Sequence, residues 1–243
     1  MISEKAYAKI NIYLKVLGKR PDGYHDIESL VVPINVYDEL EFYDCDYDII
    51  ESNVNIKNNI MFKAIRYLKE TYNINKCVKI ILNKKIPLCG GLGGGSADLS
   101  ATLRGLNRLW NLNLTIEQLA TIAIMFGSDT LFTMYNKPAI LRGRGEIIDF
   151  VCYPKKEILL FNPRIEALTK DVFDNYKESD IGENELEMAL LRLFPDIYDF
   201  KKYYEMQGLK LHLSGSGSTY FSLDIKDYSS NNNYLEIKTE TIE

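Results

Sequence analysis

An α+β fold is the fold class that this sequence of 243 residues predicts, and three patterns indicate it. Residues 6–16 alternate between apolar and polar side chains, which is the period of a β-strand. Residues 99–110 carry apolar side chains at the spacing of one helical face. Residues 87–96, rich in glycine, join a second strand pattern to that helix. Strands and helices therefore follow one another in mixed order within the same folded unit.

The N-terminal part contains strands followed by helices. In the first strand Lys9 and Asn11 are neighbours on one face. Other strand patterns cover Leu30–Val36, Glu39–Tyr43 and residues 78–82, and a turn covers Gly18–Gly23. Three helices are predicted. The first runs from an N-cap at Asn59 to Tyr72, and the second begins at Ser96. The third begins with a capping box formed by Thr115 and Gln118 and ends at Gly127.

A domain boundary is predicted near Phe150–Lys156, which divides the chain into residues 1–150 and 151–243. The C-terminal part has helical patterns around Leu186–Phe194 and Asp196–Gln207. Its strand patterns are Ile158–Phe161, Leu209–Leu213, Tyr220–Leu223 and Tyr234–Lys238. This order predicts helices on one face of a small antiparallel sheet.

Composition disfavours several classes of function. The net charge is −5, from 29 basic and 34 acidic residues, and no basic run has interleaved aromatics, so nucleic acid is not an expected partner. The four cysteines stand far apart, which argues against a zinc site or a disulfide framework. No segment is typical of a signal peptide or a membrane span. We expect a cytoplasmic protein without a membrane partner, as a monomer or weak homodimer.

The segment Pro87–Ser96 is typical of a phosphate-binding loop. Its five glycines leave backbone N–H groups accessible to an anion, and the dipole of the helix that begins at Ser96 favours negative charge. The common P-loop pattern is excluded, because Gly95 rather than Lys precedes Ser96. A dinucleotide-binding unit is disfavoured, because a second helix follows. A flexible hinge or an unusual helix entry is the alternative.

Two further blocks accompany this loop in a fixed order. They are Ala8–Asn11 with Arg20–His25 near the start and Leu213–Thr219 near the end. Together with the loop and Ala97-Asp98, they resemble the GHMP kinase superfamily over about Lys5 to Phe221. This resemblance implies a two-domain fold with an N-terminal half like ribosomal protein S5 domain 2, a ferredoxin-like C-terminal half, and an active site in the cleft between them.

The block Asp22-Gly23-Tyr24-His25 is similar to one branch of that superfamily. The branch phosphorylates the 2-hydroxyl of 4-diphosphocytidyl-2-C-methyl-D-erythritol in the non-mevalonate isoprenoid pathway, whereas related kinases act on galactose, homoserine or mevalonate. The resemblance thus implies an ATP-dependent small-molecule kinase. A kinase for another small alcohol and a catalytically silent relative that binds ligand remain as alternatives.

The resemblance also implies the roles of individual residues. Asp129 matches the catalytic Asp and Lys9 its partner, although an isolated Asp after Gly127 is typical of an N-cap and an isolated Lys on a strand is typically solvated. Mg²⁺ would lie on Ser96. ATP would contact Pro87, Leu88, Cys89, Gly90, Gly91, Leu92, Gly93, Gly94, Gly95, Ser96 and Ala97. The second substrate would contact Asn11, Tyr24, His25, Phe173, Gly215, Ser216 and Gly217.

Three positions around Asp129 depart from the resembled pattern. The family usually has Ala before this Asp and Val-Pro after it, whereas Ser128, Thr130 and Leu131 stand here. A proline fixes a backbone angle at the start of a helix. Its loss predicts a less rigidly placed Asp129 and a slower turnover.

Overall fold

The computed structural model describes all 243 residues and divides them into two compact units. The first unit comprises Met1–Ala8, Val36–Ile86 and Gly93–Asn136. The second unit comprises Lys9–Asn35, Pro87–Leu92 and Lys137–Glu243. Because each unit combines separate stretches of chain, this division does not test a sequential boundary near residue 150, which stays a prediction.

Strands and helices occur in mixed order, which confirms the α+β class. The strands are β1 (Ile2–Lys19), β2 (His25–Cys45), β3 (Ile49–Ser52), β4 (Cys77–Asn83), β5 (Ala139–Gly143), β6 (Ile147–Phe150), β7 (Glu157–Asn162), β8 (His212–Leu213), β9 (Tyr220–Ser222) and β10 (Leu235–Glu240). The helices are α1 (Met61–Tyr72), α2 (Gly94–Leu109), α3 (Ile116–Ala123), α4 (Thr130–Tyr135), α5 (Thr169–Asp174), α6 (Glu187–Leu193) and α7 (Asp196–Glu205).

Helix α2 is the centre of the first unit. It packs against α1, α3 and α4. The apolar positions predicted to face inward, Leu99, Leu103 and Leu106, are fully buried. The helix also meets the sheet closely, because a Cβ atom on Gly105 would lie 2.4 Å from the Phe42 ring. In that sheet β4 pairs antiparallel with the end of β2 and parallel with β3.

The second unit contains the predicted small antiparallel sheet, in the order β10-β7-β9-β8. Aromatic side chains fill its core, where the rings of Phe161 and Tyr204 lie 4.4 Å apart between centroids and Phe200 packs edge-on to Tyr204. The start of β2 also pairs with β5, and β5 pairs with β6. Helices α5, α6 and α7 belong to this unit.

The structure corrects two predicted strand boundaries. The separate strands Leu30–Val36 and Glu39–Tyr43 are wrong, because β2 runs through both without a break. Asp38 lies between the two predicted ranges, where it is buried and accepts hydrogen bonds from the Lys85 and Ile86 backbone N–H groups. The predicted strand Leu209–Leu213 is only two residues long, His212–Leu213.

Two predicted helix ends are also wrong, and one capping side chain is confirmed. Helix α1 begins at Met61, and the Asn59 side chain accepts the Met61 N–H at 3.0 Å, as a capping side chain does. Helix α2 begins at Gly94 rather than Ser96, because the Ala97 N–H already bonds to the Gly93 carbonyl at 2.9 Å. The Thr115 and Gln118 capping box is confirmed, but α3 ends at Ala123 and tight turns replace its predicted last turn before Gly127.

Candidate active site

Lys9 and Asn11 lie side by side in the second unit, as the strand alternation predicted. The Lys9 ammonium donates to Asn11 Oδ1 at 2.6 Å, and Asn11 Nδ2 donates to Ser29 Oγ at 2.8 Å. All three side chains are buried, with Lys9 only 3% exposed. Burying an ammonium costs free energy unless partners compensate it, so the solvated-lysine interpretation is wrong.

Hydrogen bonds join the three sequence blocks within the second unit. The Lys9 N–H donates to the Leu92 carbonyl at 3.0 Å. The Ser214 hydroxyl donates to the Gly91 carbonyl at 3.1 Å. These bonds make three segments neighbours: the first strand, the start of the glycine loop (Pro87–Ser96) and the serine-glycine loop (Leu213–Thr219). More than 120 positions separate Gly91 from Ser214 in sequence.

Glycine is required where these segments meet. Gly91 has φ +73°, and a Cβ atom there would lie 2.2 Å from the Ser214 carbonyl oxygen. A Cβ atom on Gly215, which has φ +56°, would lie 2.9 Å from Lys9 Nζ. Both positions combine a left-handed backbone with close approach of other atoms, so no other residue fits without displacement.

Asn184 holds the serine-glycine loop from outside the predicted motifs. Its buried amide Nδ2 donates to the carbonyls of Leu213 and Gly215 at 3.0 and 2.8 Å. On the same loop the Ser216 hydroxyl lies 3.0 Å from that of Thr169. Sequence reasoning missed Asn184, because nothing in the residues around it indicates a role in a loop some 30 positions away.

The first unit contains the start of α2. Gly93 has a left-handed backbone at the N-cap position, with no side chain to cap the helix. The first N–H groups of a helix have no acceptor within the helix, so they are available to an anion. A Cβ atom on Gly95 would meet no heavy atom within 4 Å, whereas one on Gly94 would lie 3.0 Å from Ile86 and 3.2 Å from Lys84 Nζ. The first turn is thus open at Gly95 and closely packed at Gly94.

A buried ionic cluster lies beneath this first turn. Lys84 Nζ donates to Asp38 Oδ2 at 2.5 Å and to Asp98 Oδ2 at 2.8 Å. Asp98 Oδ1 is buried with no hydrogen-bond partner. Burial and the Asp38 carboxylate raise the pKa of Asp98 to about 7, against the opposing effect of the Lys84 ammonium. Residue spacing gave no signal of this cluster.

The Asp98→Asn variant is expected to change how stability depends on pH. Because the pKa of Asp98 is raised on folding from 3.8 to about 7, its stabilising contribution is complete below about pH 4 and is lost as pH rises through 7. The free energy of unfolding of the wild type, relative to Asp98→Asn, should therefore fall from pH 5 to 8 in urea titrations. The exposed Asp44→Asn variant is the control. Parallel profiles for wild type and Asp98→Asn would contradict the assignment.

Asp129 occupies the residue before α4, but its side chain makes no capping hydrogen bond to that helix. Capping therefore does not account for an Asp at this position. Its backbone carbonyl accepts the Thr133 N–H at 3.0 Å, as in a regular first turn. Asp129 thus directly precedes a short, buried helix in the same unit as Ser96.

Aromatic side chains surround His25 in the second unit. The rings of His25 and Phe173 are stacked, with centroids 5.2 Å apart. Burial lowers the pKa of His25, which favours its neutral form near pH 7. Tyr24 is 52% exposed, and the Arg144 guanidinium lies over its ring at 5.1 Å. The structure thus brings Phe173 onto His25, while the Tyr24 ring lies against Arg144.

Comparison with known proteins identifies the broad class of protein to which this chain is similar. Residues 59–137 match the family GHMP kinases N terminal domain. A solved structure of a 4-(cytidine 5'-diphospho)-2C-methyl-D-erythritol kinase aligns with a TM-score of 0.83 and 24% identity over 99% of each chain. A mevalonate kinase structure aligns with a TM-score of 0.71 and 12% identity, again over 99% of each chain. These likenesses confirm the GHMP kinase fold.

Sequence relatives narrow the class. A 4-diphosphocytidyl-2-C-methyl-D-erythritol kinase of Bacillus anthracis is 38% identical over 90% of this chain and 86% of its own. That of Bacillus pumilus (strain SAFR-032) is 36% identical over 91% of this chain and 88% of its own. The chain therefore belongs to the 4-diphosphocytidyl-2-C-methyl-D-erythritol kinase family within the GHMP kinases. None of its helices has the length and apolar composition needed to cross a bilayer.

Proposed function

We propose that this protein transfers the γ-phosphoryl group of ATP to the 2-hydroxyl of 4-diphosphocytidyl-2-C-methyl-D-erythritol. The observation that best supports it is the junction of Lys9, Asn11 and two glycine-rich loops in one unit, in a chain 38% identical to kinases named for this substrate. A buried ammonium beside a narrow glycine junction suits an anionic substrate.

Asp129 is the proposed general base. Its carboxylate accepts the proton of the 2-hydroxyl while that oxygen attacks the γ-phosphorus, the bond to the bridging oxygen breaks, and ADP leaves. Lys9 is the second proposed catalytic residue, whose ammonium would neutralise charge during transfer. The Asn11 and Ser29 hydrogen bonds hold the Lys9 side chain in one orientation.

The glycine loop is the proposed site for ATP. The free N–H groups of the first turn of α2 would bind phosphate oxygens, and the open position at Gly95 lets them approach closely. No three His, Cys, Asp or Glu side chains cluster so as to hold a metal ion. Mg²⁺ would be held by phosphate oxygens, water and the Ser96 hydroxyl, because a hydroxyl beside a phosphate suits a hard cation that keeps most of its waters, and it would neutralise phosphate charge.

The remaining predicted residues form the proposed site for the second substrate. Asn11 and the segment Gly215–Gly217 would contact the methylerythritol and phosphates, since Asn11 and Gly215 both lie beside Lys9 Nζ. Tyr24, His25 and Phe173 would bind the cytosine. Because His25 and Phe173 are already stacked, the exposed face of Tyr24 is the better platform for the base, after displacement of the Arg144 guanidinium.

A coupled assay of ADP release tests this proposal. The diphosphocytidyl substrate, galactose, homoserine and mevalonate are compared in parallel at equal concentrations. Activity confined to the first supports the proposal. Preference for another alcohol would favour a different GHMP kinase, and activity with none, together with tight ligand binding, would favour a silent relative.

We further propose that the protein is cytoplasmic, is a monomer or weak homodimer, and has no nucleic-acid or membrane partner. Sedimentation measures the oligomeric state.

The Tyr24→Ala variant is expected to weaken binding of the diphosphocytidyl substrate by about 1–3 kcal/mol, the range for a base stacked on an aromatic ring. The Michaelis constant for ATP should stay unchanged, since the proposed stacking involves only the cytosine. Tyr24→Phe keeps the ring and should cost little. Equal rises of both Michaelis constants would indicate a general defect, and no rise in either would contradict the stacking role.

A further inference from the structure

Two buried hydroxyl groups connect α2 to α4 and a third connects α4 to the end of α3, and none of the three has a role in the proposed mechanism. They belong to Ser100 on α2 and to Thr130 and Thr133 on α4, and we call them the hydroxyl bridge. Each residue is at most 1% exposed. Ser100 Oγ donates to the Thr130 carbonyl at 3.0 Å and lies 2.9 Å from Thr133 Oγ1. Buried hydroxyls cost free energy unless they are bonded, so this arrangement fixes the two helices against each other.

Thr133 contacts the backbone of both functional segments in the first unit. Its Oγ1 lies 3.1 Å from the Ser96 carbonyl, in the first turn of α2, and 3.2 Å from the Asp129 carbonyl. One side chain thus touches the residue proposed for Mg²⁺ and the residue proposed as base. Arg104 adds a second connection from α2, because its guanidinium donates to the Thr133 carbonyl at 3.2 Å.

Thr130 fixes the turn that precedes α4. Its Oγ1 lies 2.6 Å from the Ala123 carbonyl, at the end of α3, and also close to the Gly127 carbonyl, and its one proton is donated to one of them. Thr130 and Leu131 stand where the resembled family has Val-Pro, and a proline there would fix a backbone angle. The Thr130 hydroxyl restrains the same turn by a hydrogen bond instead. The looseness of Asp129 stays a prediction, and this hydrogen bond would oppose it.

We propose that the hydroxyl bridge is a positioning group, which holds Asp129 at a fixed distance from Ser96 so that the base stays aligned with the nucleotide phosphates. The inference rests on the proposed function, since it acts through Asp129. A displacement of about 1 Å in such a site lowers a rate by up to about a hundredfold. Valine has the shape of threonine without its hydrogen bonds, so Thr133→Val releases α4 with little change of volume.

The experiment compares Thr133→Val with Thr102→Val. Thr102 is also buried on α2, but its hydroxyl donates only within its own helix, to the Asp98 carbonyl at 2.7 Å. Both variants should lose similar thermal stability. Thr133→Val should lower kcat about tenfold with both Michaelis constants nearly unchanged, Thr133→Ser should restore most of it, and Thr102→Val should keep wild-type kcat. Equal kcat for the two valine variants would overturn the inference.

A double variant separates positioning from other effects. If the hydroxyl bridge acts through Asp129, Thr133→Val should lower kcat in the wild type but not in the Asp129→Asn background. Independent losses that multiply would overturn it. If Thr133→Val does not fold, Ser100→Ala removes the bridge from the α2 side and is tested identically. If Asp129→Asn keeps wild-type turnover, the assignment of the base fails and the inference fails with it. If Asp129→Asn lowers turnover but Thr133→Val does not, only the inference is overturned.

Discussion

Asp129→Asn is expected to lower turnover by roughly two to four powers of ten, the usual contribution of a general base, while ATP affinity stays near its wild-type value. Asparagine has nearly the same shape as aspartate but accepts no proton at neutral pH. Because the Asp129 side chain does not cap α4, its replacement should leave the helix stable. Turnover is measured by ADP release, and affinity by calorimetry with an ATP analogue. Turnover near wild type would contradict the assignment.

Lys9→Met extends this prediction to the proposed partner. We expect a lower turnover, and a double variant with Asp129→Asn that loses less than the product of the single losses, because the two groups act together. Lys15→Met is the matched control, since Lys15 lies on the same strand but its side chain bonds at the surface to the Gly182 carbonyl and Glu185. Fully independent losses would show that the two groups do not cooperate.

The sequence predicted best where a local rule applies. Strand alternation has a period of two, so it placed Lys9 and Asn11 on one face without any knowledge of their partners. The same holds for the Thr115 and Gln118 capping box, whose hydrogen bonds span three residues. Such patterns depend only on neighbours in the chain, so tertiary packing did not alter them.

Contacts between distant residues escaped prediction. Lys84 pairs with carboxylates 46 and 14 positions away, and neither spacing has a meaning in sequence. Asp38 lies between two strands that were predicted as separate, and an isolated carboxylate inside a strand is unfavourable. Only the folded chain supplies the Lys84 ammonium and two backbone N–H groups that satisfy it.

The five glycines of the Pro87–Ser96 loop also show that tertiary contacts cannot be predicted from the sequence pattern. All five read alike as phosphate-binding, yet Gly91 is needed for its backbone angle and its contact with Ser214, and Gly94 for its packing on Ile86 and Lys84. Gly95 alone among these three has no neighbouring atom where a side chain would project. A substitution at Gly91 or Gly94 would therefore change both ATP binding and protein stability, whereas a substitution at Gly95 would change ATP binding alone.

Gly95→Val is expected to abolish most ATP binding without unfolding the protein. A side chain at this position meets no protein atom but would occupy the space that a phosphate needs beside the first turn of α2. Loss of two charge-assisted hydrogen bonds, at about 1.5–3 kcal/mol each, lowers affinity by roughly a hundredfold to ten-thousandfold. Calorimetry with an ATP analogue measures the affinity, and thermal denaturation without nucleotide measures the stability.

Two matched variants make this result specific to the loop. Gly182→Val adds the same side chain at a surface glycine, where the nearest atom to an added Cβ would be 3.5 Å away. This variant should bind ATP normally. Gly91→Ala places a Cβ atom 2.2 Å from a backbone oxygen and should lower thermal stability. Because glycine is a poor helix former, Gly95→Val should melt no lower than wild type. A folded Gly95→Val protein that binds the analogue normally would show that the phosphates lie elsewhere, and the glycine segment would then be a hinge.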